Sequence, residues 1–223
     1  MENKMKIDGA IFDMDGTLVD SLSVWEFIWT EFGKTYLNDE NFRPSKEADK
    51  TVRTMVLDDA MEYIHKTCAI GKSGKELTVK ANELLIIFYK EKAKLKKGAS
   101  ELLKYLEEKG VKMCIASASA TDLIELALES CGIKKYFSKV FSCREIGKGK
   151  DCPDIYLTAL EYLGTPLEST WVFEDSFVAL DTARRIGLHR VGIFDENNFD
   201  NDKSERISDI YVADGEGLDK VIE

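Results

Sequence analysis

A chain of 223 residues, 44% hydrophobic and 32% charged, has ordinary globular composition and is long enough for one large domain or for a core with a smaller insertion. That composition excludes a disordered chain. Its formal charge of −10 gives an average field that repels nucleic acid and anionic membranes, although a metal ion and one lysine can reverse the field inside a single cleft for a small anionic substrate.

The N-terminal stretch Met1-Glu2-Asn3-Lys4-Met5-Lys6 runs into a short apolar strand pattern over Ile7 to Phe12, not into a signal-peptide core. No run approaches the roughly 18 apolar residues of a membrane span, so a cytoplasmic location is expected. From Leu18 to Lys97 the pattern is helical, with no strand, and reads as an inserted helical subdomain. Ser23-Val24-Trp25-Glu26 has the spacing of a capping box. The last helix of the interval, Glu76 to Lys94, carries the apolar face Leu84, Leu85, Ile87 and Phe88 and a lysine-rich end that complements its dipole.

From Gly98 onward short apolar runs alternate with helix-period segments. The expected strands are Lys112 to Ala116, Lys139 to Phe141, Trp171 to Phe173, Val191 to Phe194 and Ile210 to Val212. The expected helices are Ser100 to Lys109, Asp122 to Cys131, Pro153 to Leu163 and Phe177 to Ile186, each with a glycine just past its end to stop it. This alternation is that of an α/β fold, a parallel sheet joined by crossover helices. The polar segment Asp195 to Asp209 reads as a loop between the last two strands. Cys68, Cys114, Cys131, Cys143 and Cys152 are odd in number and contain no C-x-x-C pair, so they read as reduced thiols and not as a zinc site or a disulfide framework. His65 and His189 lie outside every motif and read as surface or packing residues.

Chemistry gathers where the apolar runs end. Asp13 follows Ala10-Ile11-Phe12, at the carboxyl end of the first strand, where open α/β sheets bind ligands. Asp15 lies two residues on, and if the strand persists both carboxylates point to one side. Their repulsion is relieved most simply by a divalent cation. Ser117, in Ile115-Ala116-Ser117-Ala118-Ser119, ends another strand just before a helix, where a hydroxyl and backbone N–H groups can hold phosphate oxygens. Trp171-Val172-Phe173-Glu174-Asp175-Ser176 is again an apolar strand ending in acids. Lys148 and Lys150 lie in the glycine-bracketed segment Gly147-Lys148-Gly149-Lys150-Asp151-Cys152-Pro153, and either ammonium could pair with phosphate.

Asp13-Met14-Asp15-Gly16-Thr17-Leu18 resembles the first motif of the haloacid dehalogenase superfamily, in its phosphatase and β-phosphoglucomutase-like branch. The segments around Ser117, Lys150 and Glu174-Asp175 resemble the other three motifs in the required order, so the likeness covers nearly the whole chain. It implies a Rossmann-like core, residues 1–17 and 98–223, with helices on both faces of the sheet, and a helical cap subdomain over residues 18–97. It implies Asp13 as nucleophile, Asp15 as general acid and base, and Ser117, the amide of Ala118 and Lys150 as phosphate-binding groups. The lysine three residues before the proline selects Lys150 over Lys148, and Asp151 departs from the family's frequent proline. The metal is implied to be Mg2+, held by Asp13, the backbone carbonyl of Asp15, and Asp175, with Glu174 either a direct ligand or one shell out.

The implied activity is hydrolysis of a small phosphomonoester through an aspartyl-phosphate. Asp15 separates this activity from the family's dehalogenases, which lack the second aspartate, and from its phosphonatases. The alternatives are a sugar phosphomutase and a non-catalytic phosphate-binding module. Against the mutase, Trp25 stands where β-phosphoglucomutases carry a histidine, and no glycine-arginine cap loop is evident near Arg43 and Arg53. Against the binding module, both aspartates are intact.

Overall fold

A computed structural model describes residues 6–53 and 55–222; Met1 to Met5, Thr54 and Glu223, and with them most of the N-terminal stretch read above, lie outside the described residues. The chain divides into two compact units, Met1–Leu22 with Ala93–Glu223, and Ser23–Lys92. The sequence reading set the ends of the insertion at Leu18 and Lys97.

The first unit contains the strands β1 (Gly9–Phe12), β2 (Val19–Asp20), β3 (Lys94–Leu95), β4 (Lys112–Ser117), β5 (Val140–Ser142), β6 (Thr170–Glu174), β7 (His189–Ile193) and β8 (Ile210–Val212). Six of them form one parallel sheet in the order β5-β4-β1-β6-β7-β8. The chain moves outward from β1 through β4 to β5, then returns to β6 on the opposite side of β1. The strand order therefore reverses around β1, and the crevice at such a reversal is where these sheets bind ligands. The sequence Gly-Ala-Ile-Phe of β1 is buried throughout, as a central parallel strand must be. Phe12 stacks on Phe173 of the neighbouring β6 with ring centroids 4.2 Å apart, and this pair holds the two strand ends in register.

Among its described residues the second unit contains the α-helices α1 (Val24–Phe32), α2 (Lys46–Val52), α3 (Leu57–Cys68) and α4 (Gly74–Glu91), with a π-helical segment, Gly33–Leu37, directly after α1. The remaining helices belong to the first unit: α5 (Ala99–Glu108), α6 (Thr121–Ser130), α7 (Cys143–Ile146), α8 (Asp154–Leu163), α9 (Phe177–Arg185) and α10 (Asn201–Ile207). Helices α8 and α9 bury Ile155, Tyr156, Ala159, Ala179 and Ala183 against Ile11, Cys114 and Val172 of the sheet. Fully burying a large aliphatic side chain here contributes about 1.5–3 kcal/mol. No described helix is long and apolar enough to cross a membrane. All five cysteines are free.

Four local expectations need correction. First, β2 and β3 pair antiparallel within the interval read as having no strand; two residues are too few to show a period. Second, Ser23 precedes α1 but its side chain caps nothing, because its backbone is already helical and the hydroxyl cannot reach the first-turn amides. A reciprocal capping arrangement is found instead at α4, where the Ser73 hydroxyl accepts from the Glu76 N–H at 3.2 Å and the Glu76 carboxylate accepts from the Lys72 N–H. Third, α4 buries Leu77, Ala81, Leu84 and Phe88, a face rotated from the one expected, and Ile87 is exposed. Fourth, the segment read as a loop contains α10, whose seven residues bury only Ser204 and so carry no apolar signal.

Gly98 shows what the loop geometry demands. Its φ is +76°, and an added Cβ would lie 2.6 Å from the Asp219 amide nitrogen and 2.7 Å from that of Leu218, both backbone atoms. Gly98→Ala is expected to destabilise the protein by about 1–2 kcal/mol for the left-handed backbone alone and by a further ~1–3 kcal/mol for the overlap. The check is the midpoint of urea unfolding; an unchanged midpoint would contradict it.

Candidate active site

β1 ends at Phe12, so strand alternation does not extend across Asp13 to Asp15, and the two carboxylates have different surroundings. Asp13 is buried, with its amide donating to the Phe173 carbonyl at 2.9 Å. Ligand atoms of Asp13, Glu174 and Asp175 lie within 4.8 Å of one another. Asp15 turns its carboxylate to two hydroxyls: Ser21 donates to one oxygen at 2.6 Å and Ser119 to the other at 2.7 Å. The pairing of two carboxylates expected at 13 and 15 is thus replaced by a cluster shared between the ends of β1 and β6.

Lys150 reaches this cluster and Lys148 does not. The Lys150 ammonium donates to Asp13 Oδ1 at 2.5 Å and also to Glu174 Oε1, and its side chain is only 11% exposed. Lys148 is exposed and paired with Asp154 at the start of α8. Glu174 is engaged on both oxygens: Oε1 accepts from Lys150 and from the buried Tyr156 hydroxyl at 3.1 Å, and Oε2 accepts from the Ser176 N–H. Ser117 is buried at the end of β4, its hydroxyl accepting from the Ser119 N–H at 3.1 Å, and Ala118 is exposed just beyond that strand.

Burial pushes the Asp13 carboxyl well above its ordinary range; Lys150 pulls against this, while Glu174, Asp175 and Asp15 add to it. Asp175 is pushed up to about 7 by burial and by Glu174. For Lys150, burial opposes the ammonium but Asp13 and Glu174 outweigh it, so the lysine stays charged. Three carboxylates face one ammonium in a buried space, which leaves an excess of two negative charges when all are ionised. All-oxygen donors with that excess fit a hard divalent cation.

Other residues, none of them assigned a role from the motifs, also meet the site. Thr17 donates to Asp175 Oδ1 at 3.2 Å, and Asn198, from the segment after β7, donates to Asp175 Oδ2 at 3.1 Å. Ser21 lies just past the first motif, six residues from Asp15, but Ser119 is 104 residues away and only the fold brings it there. In the helical unit Arg43 is paired with Glu26 and Arg53 with Asp49, which also accepts the buried Trp29 indole N–H at 2.7 Å. Trp25 is partly buried against Trp29. His65 Nδ1–H donates to the Ile70 carbonyl at 2.7 Å, and His189 stacks on Trp171, so both histidines pack locally.

The sequence model of the haloacid dehalogenase-like hydrolases matches residues 7–187. The chain belongs to that family. Among relatives of this haloacid dehalogenase-like hydrolase, the phosphorylated carbohydrates phosphatase of Thermotoga maritima is 26% identical over 193 residues, spanning 83% of this chain and 84% of the relative. The validoxylamine A 7'-phosphate phosphatase of Streptomyces hygroscopicus is 27% identical over 192 residues, spanning 82% and 84%. The crystal structure of CbbY from Rhodobacter sphaeroides in complex with phosphate has the same fold, with a TM-score of 0.75 at 19% identity over 92% of this chain and 93% of that one. The expected α/β fold and family are therefore both established.

Proposed function

We propose that the protein is a magnesium-dependent phosphatase of small phosphorylated metabolites, sugar phosphates among them, working through an aspartyl-phosphate on Asp13. The observation that carries this reading is the separation of the two aspartates. Asp13 is joined to a lysine and two further carboxylates, whereas Asp15 is held apart on two hydroxyls. These surroundings support a nucleophile beside a cation for the first and a proton carrier for the second. The phosphatase names of the relatives support the same class.

In this reading an Asp13 oxygen attacks phosphorus as the P–O bond to the leaving alcohol breaks, and Asp15 gives that oxygen its proton. Water then attacks the phosphorus of the acyl phosphate, Asp15 takes the water's proton, and Asp13 is released with inorganic phosphate. Ser117 and the Ala118 amide bind the phosphoryl oxygens, and Lys150 neutralises charge as it develops on them. Asp13, Asp175 and the backbone carbonyl of Asp15 would hold Mg2+, which supplies further positive charge to the phosphoryl group. Glu174 fixes the lysine through Oε1, and its Oε2, which accepts only from the Ser176 N–H, keeps a lone pair with which it could also meet the metal. The helical unit is assigned the role of cap, the part that selects the alcohol.

The phosphomutase reading is disfavoured by Trp25, whose indole can donate but cannot relay a proton as imidazole does. It is further disfavoured by Arg43 and Arg53, both already neutralised by carboxylates and so poorly suited to a second phosphate. The test is phosphate release from a panel of phosphomonoesters, with magnesium and with EDTA. Release with magnesium and its loss with EDTA are expected. Interconversion of hexose 1- and 6-phosphates without net release would select the mutase, and tight phosphate binding without turnover would select the binding module.

A further inference from the structure

Asp175 is held from a segment that no motif covers. The Asn198 side-chain amide donates to Asp175 Oδ2 at 3.1 Å and to the Asp175 backbone carbonyl at 2.8 Å, and the Ser204 hydroxyl donates to that carbonyl at 3.2 Å. Thr17 donates to the other carboxylate oxygen, Oδ1. Each carboxylate oxygen offers two lone pairs, so one neutral donor on each fixes the rotation of the group and still leaves a free lone pair on each oxygen.

The loop that presents Asn198 is itself anchored. Asp195, 1% exposed, accepts from the Lys96 ammonium at 2.6 Å and from the Asn197 N–H at 2.8 Å. The Asn201 amide donates to the Asp195 carbonyl at 2.8 Å and to the Asn198 carbonyl at 3.0 Å, closing the turn from behind. A donor placed this firmly costs little further entropy when it orients its partner.

We infer that Asn198 is a positioning residue that sets the Asp175 carboxylate for a divalent cation, with Ser204 bracing the same residue through its carbonyl. This rests on the metal-dependent reading of the site. Outer partners of metal ligands carry about 10–100-fold in metal affinity, because without them the ligand must be ordered by the metal itself.

The test is calorimetric titration of magnesium into the substrate-free protein, with Asn198→Ala and with Asn198→Gln, which keeps the amide but displaces it by one methylene. The magnesium Kd of both variants is expected to rise about 10-fold or more. The melting temperature of the metal-free protein should fall by no more than a few degrees, the cost of two hydrogen bonds from a partly exposed side chain. The magnesium-induced rise in melting temperature should shrink at fixed concentration, and kcat should recover at saturating magnesium. Wild-type magnesium affinity in either folded variant would overturn the inference, and so would a kcat that stays low in both at saturating magnesium, which would make the role purely structural. Absence of magnesium binding by the wild type would overturn the metal reading and this inference with it, an outcome distinct from either variant result.

Discussion

Asp13→Asn is expected to lower phosphatase activity by on the order of 10^4–10^6-fold, the cost of removing a covalent nucleophile that acts together with its acid and base. The amide is nearly the same shape as the carboxylate, so binding should survive. Stability should hold or rise, because the substitution removes one of three negative charges that share a buried cluster with a single lysine. The combination separates chemistry from folding: a dead enzyme with an undiminished unfolding midpoint. Magnesium-dependent turnover within about 10-fold of wild type would rule out Asp13 as the nucleophile, a bound set by the magnitude above.

Lys150→Met should damage both properties. Loss of a fixed positive group aimed at developing charge costs about 10^2–10^3-fold in kcat. The same change leaves Asp13 and Glu174 without their ammonium in a space where Lys150 was 11% exposed and Glu174 1%. Breaking a buried pair in this way costs about 3–5 kcal/mol, softened to the extent that the carboxyls take up protons instead. Added magnesium should restore part of the stability, since it replaces lost positive charge, and little of the rate. Urea unfolding with and without magnesium, beside steady-state rates, checks both. A variant that keeps its rate would show that Lys150 only balances charge in the resting protein.

The two variants share a site but differ in sign on stability, because one deletes surplus charge and the other deletes its compensation. This contrast follows from the geometry at the ends of β1 and β6 and from no single motif. It also explains why Lys148, two residues away, is expected to be dispensable: it spends its charge on Asp154 at the surface.

Much of the core was legible in sequence because buried parallel strands are short, apolar and cleanly bounded. The run Ile210 to Val212 matched its strand residue for residue, and the other expected strands were displaced by two residues at most. The glycines after α5, α6, α8 and α9 marked those helix ends for a local reason that any sequence window contains. What was hidden has either no period or no local cause. The pair β2 and β3 is two residues long on each side, and α10 is polar on nearly every face. The surroundings of Asp15 and Asp175 were hidden for the second reason. Ser119 meets Asp15, and Asn198 meets Asp175, only once crossovers have closed, and a serine or asparagine in a polar stretch announces nothing by itself. The alternation argument for Asp13 and Asp15 held only if the strand persisted, and the strand stops one residue before the first of them.

The small ribbon of β2 and β3 has a consequence for how this chain can vary. Val19 pairs with Leu95 and Asp20 with Lys94, so the two ends of the helical unit leave and re-enter the core side by side. Topologically the whole of Ser23–Lys92 is the loop of one hairpin. Closing a loop costs free energy only as the logarithm of its length, about 0.6 kcal/mol for each doubling. The sheet and its catalytic strand ends are therefore nearly indifferent to how many residues are threaded through that hairpin. Lineages can lengthen, shorten or rewrite the helical unit while the strand ends of the sheet stay in register.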